Sequence, residues 1–207
     1  MTRQETMIEF HLKGRDITDP EVIRAMREVD RTIFVPDELK KMAYADSALP
    51  IGSGQTISQP YIVAYMAQVL DLKPDEVVLE IGTGCGYNAA ILSRIVSHVY
   101  SVEIIEELVK SARKNLEKAG IKNVSVRFGD GYQGWQEKAP FDRIVLTAAT
   151  SRIPEPLKKQ LKTGGKLLAP VSDTLQKLII LEKKGENDFK EHDLIYVRFV
   201  PMTGESQ

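Results

Sequence analysis

The sequence predicts an α/β fold in which a mostly parallel sheet of seven strands carries helices on both faces. Short apolar stretches alternate with helical periods from about residue 76 to residue 182, and this alternation is typical of consecutive βαβ units. Hydrophobic residues make up 43% of the 207 residues, which is enough for one sizeable core. Such sheets bind ligands beyond the carboxyl ends of their strands, so a ligand site is expected in the loops at those ends.

The individual elements follow from hydrophobic periodicity and from helix end signals. The predicted strands are 77–81, 99–103, 124–128, 143–147, 166–171, 178–182 and 194–200, and the predicted helices are 20–29, 60–70, 89–96, 105–116 and 154–161. Asp19 is placed to cap the first helix, which begins at Pro20. Gly164 and Gly165 are expected to end the last helix before the fifth strand.

We expect a single domain over residues 1–207, because neither end is long enough to hold a core of its own. Residues 1–75 form an N-terminal extension of helices and loops, with a loop rich in Gly, Ser and Thr at 50–59. Residues 76–182 form a ligand-binding core. Residues 183–207 add a charged turn at 185–193, the last strand and a tail.

The composition excludes several classes of protein. With 28 basic and 29 acidic residues, the chain does not suit a nucleic-acid binder that works by bulk charge. One cysteine permits no internal disulfide. We find no apolar run of membrane-spanning length and no signal peptide, so we predict a cytoplasmic protein that does not bind membranes. The three histidines are scattered, which argues against a metal site.

A glycine-rich loop, residues 82–86, separates the first strand of the core from its helix. It reads Gly82-Thr83-Gly84-Cys85-Gly86, and its glycines permit a tight turn and a close approach by a ligand. The dinucleotide fingerprint would need glycine at position 87, where Tyr87 stands, and the phosphate loop would need a lysine. The loop therefore favours a nucleoside ligand over a pyrophosphate.

Two acidic residues follow the next two strands. Glu103 ends the second strand, where an acid in nucleotide-binding α/β folds accepts hydrogen bonds from ribose hydroxyls; its alternative role is to favour the N-terminus of the next helix. Asp130 lies between Gly129 and Gly131 after the third strand. There it can bind an adenine amino group, or it can simply form an Asp-Gly turn.

This combination of motifs resembles the class I S-adenosylmethionine-dependent methyltransferases. The resemblance implies a Rossmann-like, doubly wound α/β/α sandwich and makes residues 76–182 the cofactor-binding core. It also implies that Glu80, just before the glycine loop, helps to place the methionine amino end of the cofactor. The motifs are specific for the cofactor but say little about the methyl acceptor.

The acceptor has to be argued from other segments. Residues 146–150 lack the Asp/Asn-Pro-Pro-Tyr motif of methylases that act on base amino groups. Cys85 lies in the glycine-rich loop, which is the wrong setting for the nucleophile of C5 methylation of pyrimidines. We interpret it as a small side chain packed in the turn. The loop before Pro60 is rich in hydroxyls and leads into a helix N-terminus, which favours a carboxylate. The alternative is that Ser58 only caps that helix.

Six segments extend the resemblance to the protein-L-isoaspartate (D-aspartate) O-methyltransferase family. They are 29–36, 44–46, 51–58, 80–87, 129–131 and 199–203. The Gln-Thr-Ile-Ser run at 55–58 is the most specific of them. Cys85 departs from the serine expected in many members, and because both side chains are small we expect little consequence.

The resemblance implies methyl transfer from S-adenosylmethionine to the free α-carboxylate of an isoaspartyl, or D-aspartyl, residue in an aged protein, with S-adenosylhomocysteine as product. Such a carboxylate has a pKa of roughly 3.5, so it is ionised at neutral pH and needs no general base. The implied catalytic residue is Ser58, and Ile57, Ser58 and Val200 are the implied substrate contacts. The implied cofactor contacts are Gln55, Thr56, Ile57, Ser58, Glu80, Gly82, Thr83, Gly84, Glu103, Asp130, Gly131 and Thr203. No metal is implied, and we expect a monomer.

Two rival functions remain at this stage, and a third is disfavoured. The chain could methylate a small-molecule carboxylate or hydroxyl, or it could bind the cofactor as a regulatory module without turnover. A nicotinamide oxidoreductase is disfavoured by Tyr87 and by the absence of a catalytic Tyr/Lys or His set. Methyl transfer to an isoaspartyl peptide separates these functions.

Overall fold

A seven-stranded sheet with helices on both faces forms the centre of the computed structural model, which describes residues 1–172 and 175–204. The helices are α1 (Arg3–Thr6, continued by a π-helical segment at Met7–Lys13), α2 (Pro20–Glu28), α3 (Pro60–Leu70), α4 (Tyr87–Ser93), α5 (Glu106–Lys118) and α6 (Glu155–Gln160). The strands are β1 (Leu49–Gly52), β2 (Gln55–Ile57), β3 (Val77–Ile81), β4 (His98–Glu103), β5 (Val124–Phe128), β6 (Phe141–Leu146), β7 (Leu161–Ser172), β8 (Gln176–Lys183) and β9 (Phe189–Tyr196). Short 3₁₀ turns lie at Arg31–Phe34, Asp37–Met42, Gly131–Gln133 and Gln136–Lys138.

The order of strands in the sheet is β5-β4-β3-β6-β7-β8-β9. Strands β3 to β7 run parallel, and β8 and β9 are antiparallel to their neighbours. This arrangement confirms the predicted α/β class with a mostly parallel, seven-stranded sheet. From β3 the chain adds β4 and β5 on one side of the sheet, and from β6 onwards it adds strands on the other side. The boundary between β3 and β6 is therefore the topological switch point, where such sheets bind ligands.

Alternate residues of the strands fill two apolar cores, one on each face of the sheet. Val78 belongs to the same buried cluster as residues of α2, α3 and α4, whereas its neighbour Leu79 packs in the other cluster with Leu157 of α6. Burial on both faces explains why the core strands are continuous apolar runs. Within the described residues, no helix combines the length and the apolar character of a membrane span.

The N-terminal extension follows its local sequence signals. Helix α2 begins at Pro20, and the Asp19 carboxylate accepts hydrogen bonds from the amides of Glu21 (2.8 Å) and Val22 (3.3 Å). The predicted Gly/Ser/Thr-rich loop contains the β1–β2 hairpin, whose turn places Ser53 at a φ of 50°. The helix at residues 3–13 was not predicted, because those residues read only as polar and mixed in charge.

The prediction that Gly164 and Gly165 end a helix is wrong. Helix α6 ends at Gln160, and both glycines lie inside β7. A Cβ on Gly165 would come within 2.8 Å of the carbonyl oxygens of Asp142 and Lys162. Glycine is therefore required by the close approach of the backbone where the register of β6 and β7 shifts.

The last strand is also displaced from its prediction, because β9 spans Phe189–Tyr196 instead of 194–200. The predicted charged turn is limited to a tight connection in which the amides of Lys184 and Gly185 donate to the carbonyl of Asp188. Beyond β9 the side chain of Gln176 replaces strand pairing. Its Oε1 accepts from the amide of Phe199 (2.5 Å), and its Nε2 donates to the carbonyl of the same residue (3.0 Å).

Candidate active site

A cleft opens at the carboxyl ends of β3 and β4, beside the switch point of the sheet. Segments 55–58, 81–85, 102–105, 147–148 and 200–203 line it, together with Val63, Met66, Tyr87, Asn88, Leu108 and Gly131. The fold therefore brings together almost every site residue that the sequence predicts. Glu80 and Asp130 are the exceptions, because neither lines the cleft.

The glycine-rich loop is shaped by its packing against two neighbouring elements. Gly82 has a φ of 96°, and a Cβ there would collide with the hydroxyl of Thr147, which follows β6 and donates to the carbonyl of Gly82 (2.5 Å). Gly86 has a φ of 90°, and a Cβ there would come within 3.5 Å of Leu116 and Ala112 on α5. The glycines thus let the loop turn tightly between β6 and α5, with its backbone facing the cleft.

Glu103, the last residue of β4, holds the glycine-rich loop in place through its carboxylate. The side chain is only 6% exposed. Its Oε2 accepts from the amide of Gly84 (2.8 Å), and its Oε1 accepts from the amide of Ile105 (3.0 Å). A carboxylate oxygen can accept two hydrogen bonds, so both oxygens keep acceptor capacity at the cleft wall. This geometry suits the ribose hydroxyls that the sequence predicts there.

Glu80 lies behind the glycine-rich loop and does not line the cleft, and its predicted part in placing the methionine end of the cofactor stays a prediction. Its carboxylate is fully buried and accepts from Asn88 Nδ2 (2.8 Å) and Ser101 Oγ (2.5 Å). Ser101 in turn shares a hydrogen bond with the Thr83 hydroxyl. The pKa of Glu80 is raised to about 7, mainly by burial and to a smaller extent by the charge of Glu103, while the Ser101 and Asn88 donors oppose the rise. Glu80 therefore acts on the loop through Ser101.

Gly204 lies against the half-buried Asp130, a contact that the sequence does not predict. The Asp130 Oδ1 accepts from the amide of Tyr132 (2.9 Å), and a Cβ on Gly204 would come within 2.5 Å of its Oδ2. Ala149 anchors the C-terminal segment 201–204, because its amide donates to the Val200 carbonyl (2.8 Å) and its carbonyl accepts from the Met202 amide (2.7 Å). Thr203 reaches the cleft from this segment.

Ser58 lies between β2 and α3 and lines the cleft. The alternative that it caps α3 is wrong, because Gln59 occupies the cap position and no side-chain cap bond is formed. Within the described part of the chain the Ser58 hydroxyl has no hydrogen-bond partner, so it is available to a ligand. A second groove, which also contains Thr56, Gln59, Ile62 and residues 196–200, opens onto Ser58 from the other side.

Arg31 is a site residue that sequence reasoning missed. Its side chain is fully buried, its Nε donates to the carbonyl of Ala43 (2.7 Å) and its Nη2 donates to the carbonyl of Ser58 (2.7 Å). The guanidinium lies 4.6 Å from the ring centroid of Tyr87. No carboxylate of the described residues pairs with it, and burial lowers its pKa. The signal in the sequence was the position of Arg31 within the segment 29–36. That segment served only to recognise the family.

The cleft carries no nucleophilic thiolate. Cys85 is a free, buried cysteine, and burial raises the pKa of its thiol to about 11. The residues that line the cleft and the groove include no histidine. In the described ranges, His, Cys, Asp and Glu form no cluster of three or more that could bind a metal ion. The chemistry available is hydrogen bonding and positioning.

Comparisons with known proteins agree with this geometry. The model of the protein-L-isoaspartate(D-aspartate) O-methyltransferase family matches residues 2–207. A protein-L-isoaspartate O-methyltransferase 2 of Pelobacter propionicus is 53% identical over 98% of this chain and 91% of its own length. A protein-L-isoaspartate O-methyltransferase of Dictyoglomus thermophilum is 49% identical over 98% of this chain and 92% of its own.

Solved structures show the same similarity. A protein-L-isoaspartate O-methyltransferase superposes with a TM-score of 0.90 at 31% identity, covering 98% of this chain and 67% of that one. A Plasmodium falciparum structure, described as a putative protein-L-isoaspartate O-methyltransferase in complex with S-adenosyl-L-homocysteine, superposes with a TM-score of 0.84 at 26% identity. It covers 98% of this chain and 99% of its own.

Proposed function

The chain belongs to the protein-L-isoaspartate(D-aspartate) O-methyltransferase family, and we propose how its own residues perform that family's reaction. The enzyme transfers a methyl group from S-adenosylmethionine to the free α-carboxylate of isoaspartyl residues in damaged proteins. Without the enzyme, the neighbouring backbone nitrogen then attacks the ester carbonyl and expels methanol to form a succinimide, which water opens partly to normal aspartate. The predicted single-domain organisation, monomeric state and cytoplasmic location stay predictions.

One observation carries the proposal for the site residues: Ser58, whose hydroxyl has no partner among the described residues, lines the same cleft as the glycine-rich loop and Glu103. The glycine loop offers backbone at close range, and Glu103 offers spare acceptors for ribose hydroxyls. Together with Gly131 and Thr203, these residues fit a nucleoside that carries an amino acid chain. Glu80 supports this site from behind, through Ser101 and Thr83.

The bound cofactor supplies a sulfonium methyl group, which is already activated for transfer. The chain's own residues hold the acceptor. Ser58 donates a hydrogen bond to the incoming carboxylate and replaces part of its lost hydration. A neutral hydroxyl holds the carboxylate without neutralising it in a salt bridge, which preserves its nucleophilicity. Proximity and orientation can contribute about 7–11 kcal/mol to such a step, and the ionised acceptor explains why a site without histidine suffices.

Arg31 and the segment 197–200 complete the acceptor side. Arg31 fixes the Ser58 carbonyl (2.7 Å) and so sets the backbone from which the hydroxyl projects. Val200 lines both the cleft and the groove, and with Ile57 it frames the bound peptide main chain. The groove is the entry path for an extended peptide.

The test is methyl transfer to a matched pair of peptides, one with isoaspartate and one with normal aspartate at the same position, using labelled S-adenosylmethionine. We expect base-labile label on the isoaspartyl peptide alone. Label on neither peptide, with S-adenosylhomocysteine still bound in a calorimetric titration, would reject the acceptor and favour a small-molecule acceptor or a binding module. Equal label on both peptides would reject the isoaspartyl specificity.

A further inference from the structure

The groove that leads to Ser58 has a wall formed by residues 196–200, all of which line it. Phe199 is buried, and its amide and carbonyl are held by Gln176. Tyr196 and Arg198 are exposed, so these two side chains of the wall are the most accessible to an incoming peptide.

Arg198 is the one charged residue among the described residues that line this groove; the other lining residues are neutral. It is exposed, and it forms no ion pair or side-chain hydrogen bond within the described ranges. The nearby Lys177 differs, because its ammonium is paired with Asp193 at 2.5 Å. The groove therefore presents one free positive charge to whatever enters it.

The spacing along the wall indicates which part of a substrate meets that charge. A chain spans at most about 3.6 Å per residue, so Arg198 lies within roughly 7 Å of Val200 along the wall. Under the proposed function, Val200 stands beside the isoaspartyl residue. An extended peptide has the same spacing, so the Arg198 guanidinium meets the side chain about two positions away.

We propose that Arg198 is a specificity-determining residue. It favours substrates in which an acidic residue lies two positions from the isoaspartate, on one side of it, either before or after. This inference rests on the proposed function and adds a preference within its substrate class. Because the contact is remote from the reacting atoms, it stabilises the bound substrate and the transition state alike. It should therefore change KM and leave kcat nearly constant.

The experiment uses isoaspartyl peptides that carry Glu, Gln or Lys two positions before or two positions after the isoaspartate. The peptides form two sets, one substituted before and one substituted after the isoaspartate. In one of these sets we expect the kcat/KM of the wild-type protein to be about 2- to 5-fold higher for the Glu peptide than for the Lys peptide, which is the range of an exposed ion pair. The difference should lie in KM and shrink as ionic strength rises.

Two variants separate a local contact from bulk charge. Arg198→Glu should invert the order of the peptides. Lys122→Glu makes the same change in net charge on an exposed loop before β5, at the end of the sheet opposite to the cleft, and should keep the wild-type order. The inference is overturned if Glu, Gln and Lys peptides are equal in both sets, or if both variants shift the order alike. If no isoaspartyl peptide is methylated at all, the proposed function itself fails and this inference falls with it.

Discussion

Ser58 and Glu103 show how single side chains divide the work of the cleft. The Ser58 hydroxyl has no partner in the described chain and its carbonyl is clamped by Arg31 (2.7 Å), so the residue is held while its functional atom stays free. Glu103 is the opposite case, since both its oxygens already bind amides. Under the proposed function, the first residue receives the acceptor and the second shapes the cofactor side.

Ser58→Ala should lower kcat on an isoaspartyl peptide by about 10- to 100-fold, because a hydrogen bond to a charged group contributes roughly 1.5–3 kcal/mol. The affinity for S-adenosylhomocysteine should change little. Steady-state kinetics and calorimetric titration measure the two effects. Ser53→Ala, in the exposed hairpin turn, is the matched control. A loss of cofactor affinity in Ser58→Ala would move Ser58 to the cofactor side.

Glu103→Ala should weaken S-adenosylhomocysteine binding by about 1.5–3 kcal/mol, the contribution of charge-assisted hydrogen bonds. The measurement is the Kd from calorimetry. Glu107→Ala removes an equivalent charge from the exposed start of α5 and should leave the Kd unchanged. Equal Kd values for the wild type and Glu103→Ala would contradict the ribose role.

At this scale most of the residues that the sequence predicts for the site line one cleft, because the motifs lie at strand ends and parallel strands bring their ends to one edge. The sequence could not predict that Glu80 is buried, since a carboxylate at a strand end reads the same whether it faces a ligand or Ser101. It missed Arg31 because a buried arginine without a countercharge has no local pattern. The contacts of that arginine, Ala43 and Ser58, are 12 and 27 residues away.

At the scale of elements, the accuracy of each prediction followed the strength of its local signal. Helix α2 was located because Asp19 and Pro20 are both end signals. Strand β9 was displaced because an edge strand with charged residues on its exposed side resembles a turn in composition. Gly164 and Gly165 of β7 were wrongly predicted to end a helix for a related reason. Glycine is the residue type that suits both a helix end and a close approach of two backbones, so the sequence does not distinguish the two.

The side chain of Gln176 helps to hold the segment 197–200, together with the backbone bonds from Val197 to the Gln176 carbonyl and from Ala149 to the Val200 carbonyl, and Gln176→Ala tests its share. Without the two side-chain hydrogen bonds to Phe199, the groove wall loses part of its support, so the KM for an isoaspartyl peptide should rise several-fold. Thermal unfolding should occur at a temperature lower by a few degrees, as roughly 1 kcal/mol per lost hydrogen bond implies. Gln136→Ala, on an exposed turn, is the control. An unchanged KM would show that the wall is held by other contacts.

At the scale of the whole molecule, the strand and helix alternation was sufficient for the fold class because each βαβ unit imposes the same parallel neighbour relation. It did not resolve the order of the last two strands. Both are joined by hairpin connections, and no crossover helix marks their direction or position. The contact between Gly204 and Asp130 could not be predicted either, since these residues are more than 70 positions apart in the sequence.

The stability of the whole molecule should depend on the buried Glu80. Its pKa is raised from 4.5 to about 7, so between these values the folded protein keeps a proton that the unfolded chain releases. The free energy of unfolding should therefore fall as pH rises from about 4.5 to 7, by up to roughly 3 kcal/mol, and level off above 7. Urea unfolding at pH 5, 6 and 7.5 measures this trend. In Glu80→Gln the difference from the wild type should vary with pH in that window; parallel curves would contradict the assignment.

The bonds that fix the glycine loop have a consequence for the free protein. The amides of Gly84 and Ile105 bind Glu103, and the amide of Gly82 donates to the Val102 carbonyl (2.8 Å). Amides held in this way exchange slowly with solvent deuterium, so the loop should be protected before any cofactor is added. Because the loop is already ordered, binding costs little chain entropy there. Protection that appeared only after S-adenosylhomocysteine was added would show that the ligand, and not Glu103, gives the loop its shape.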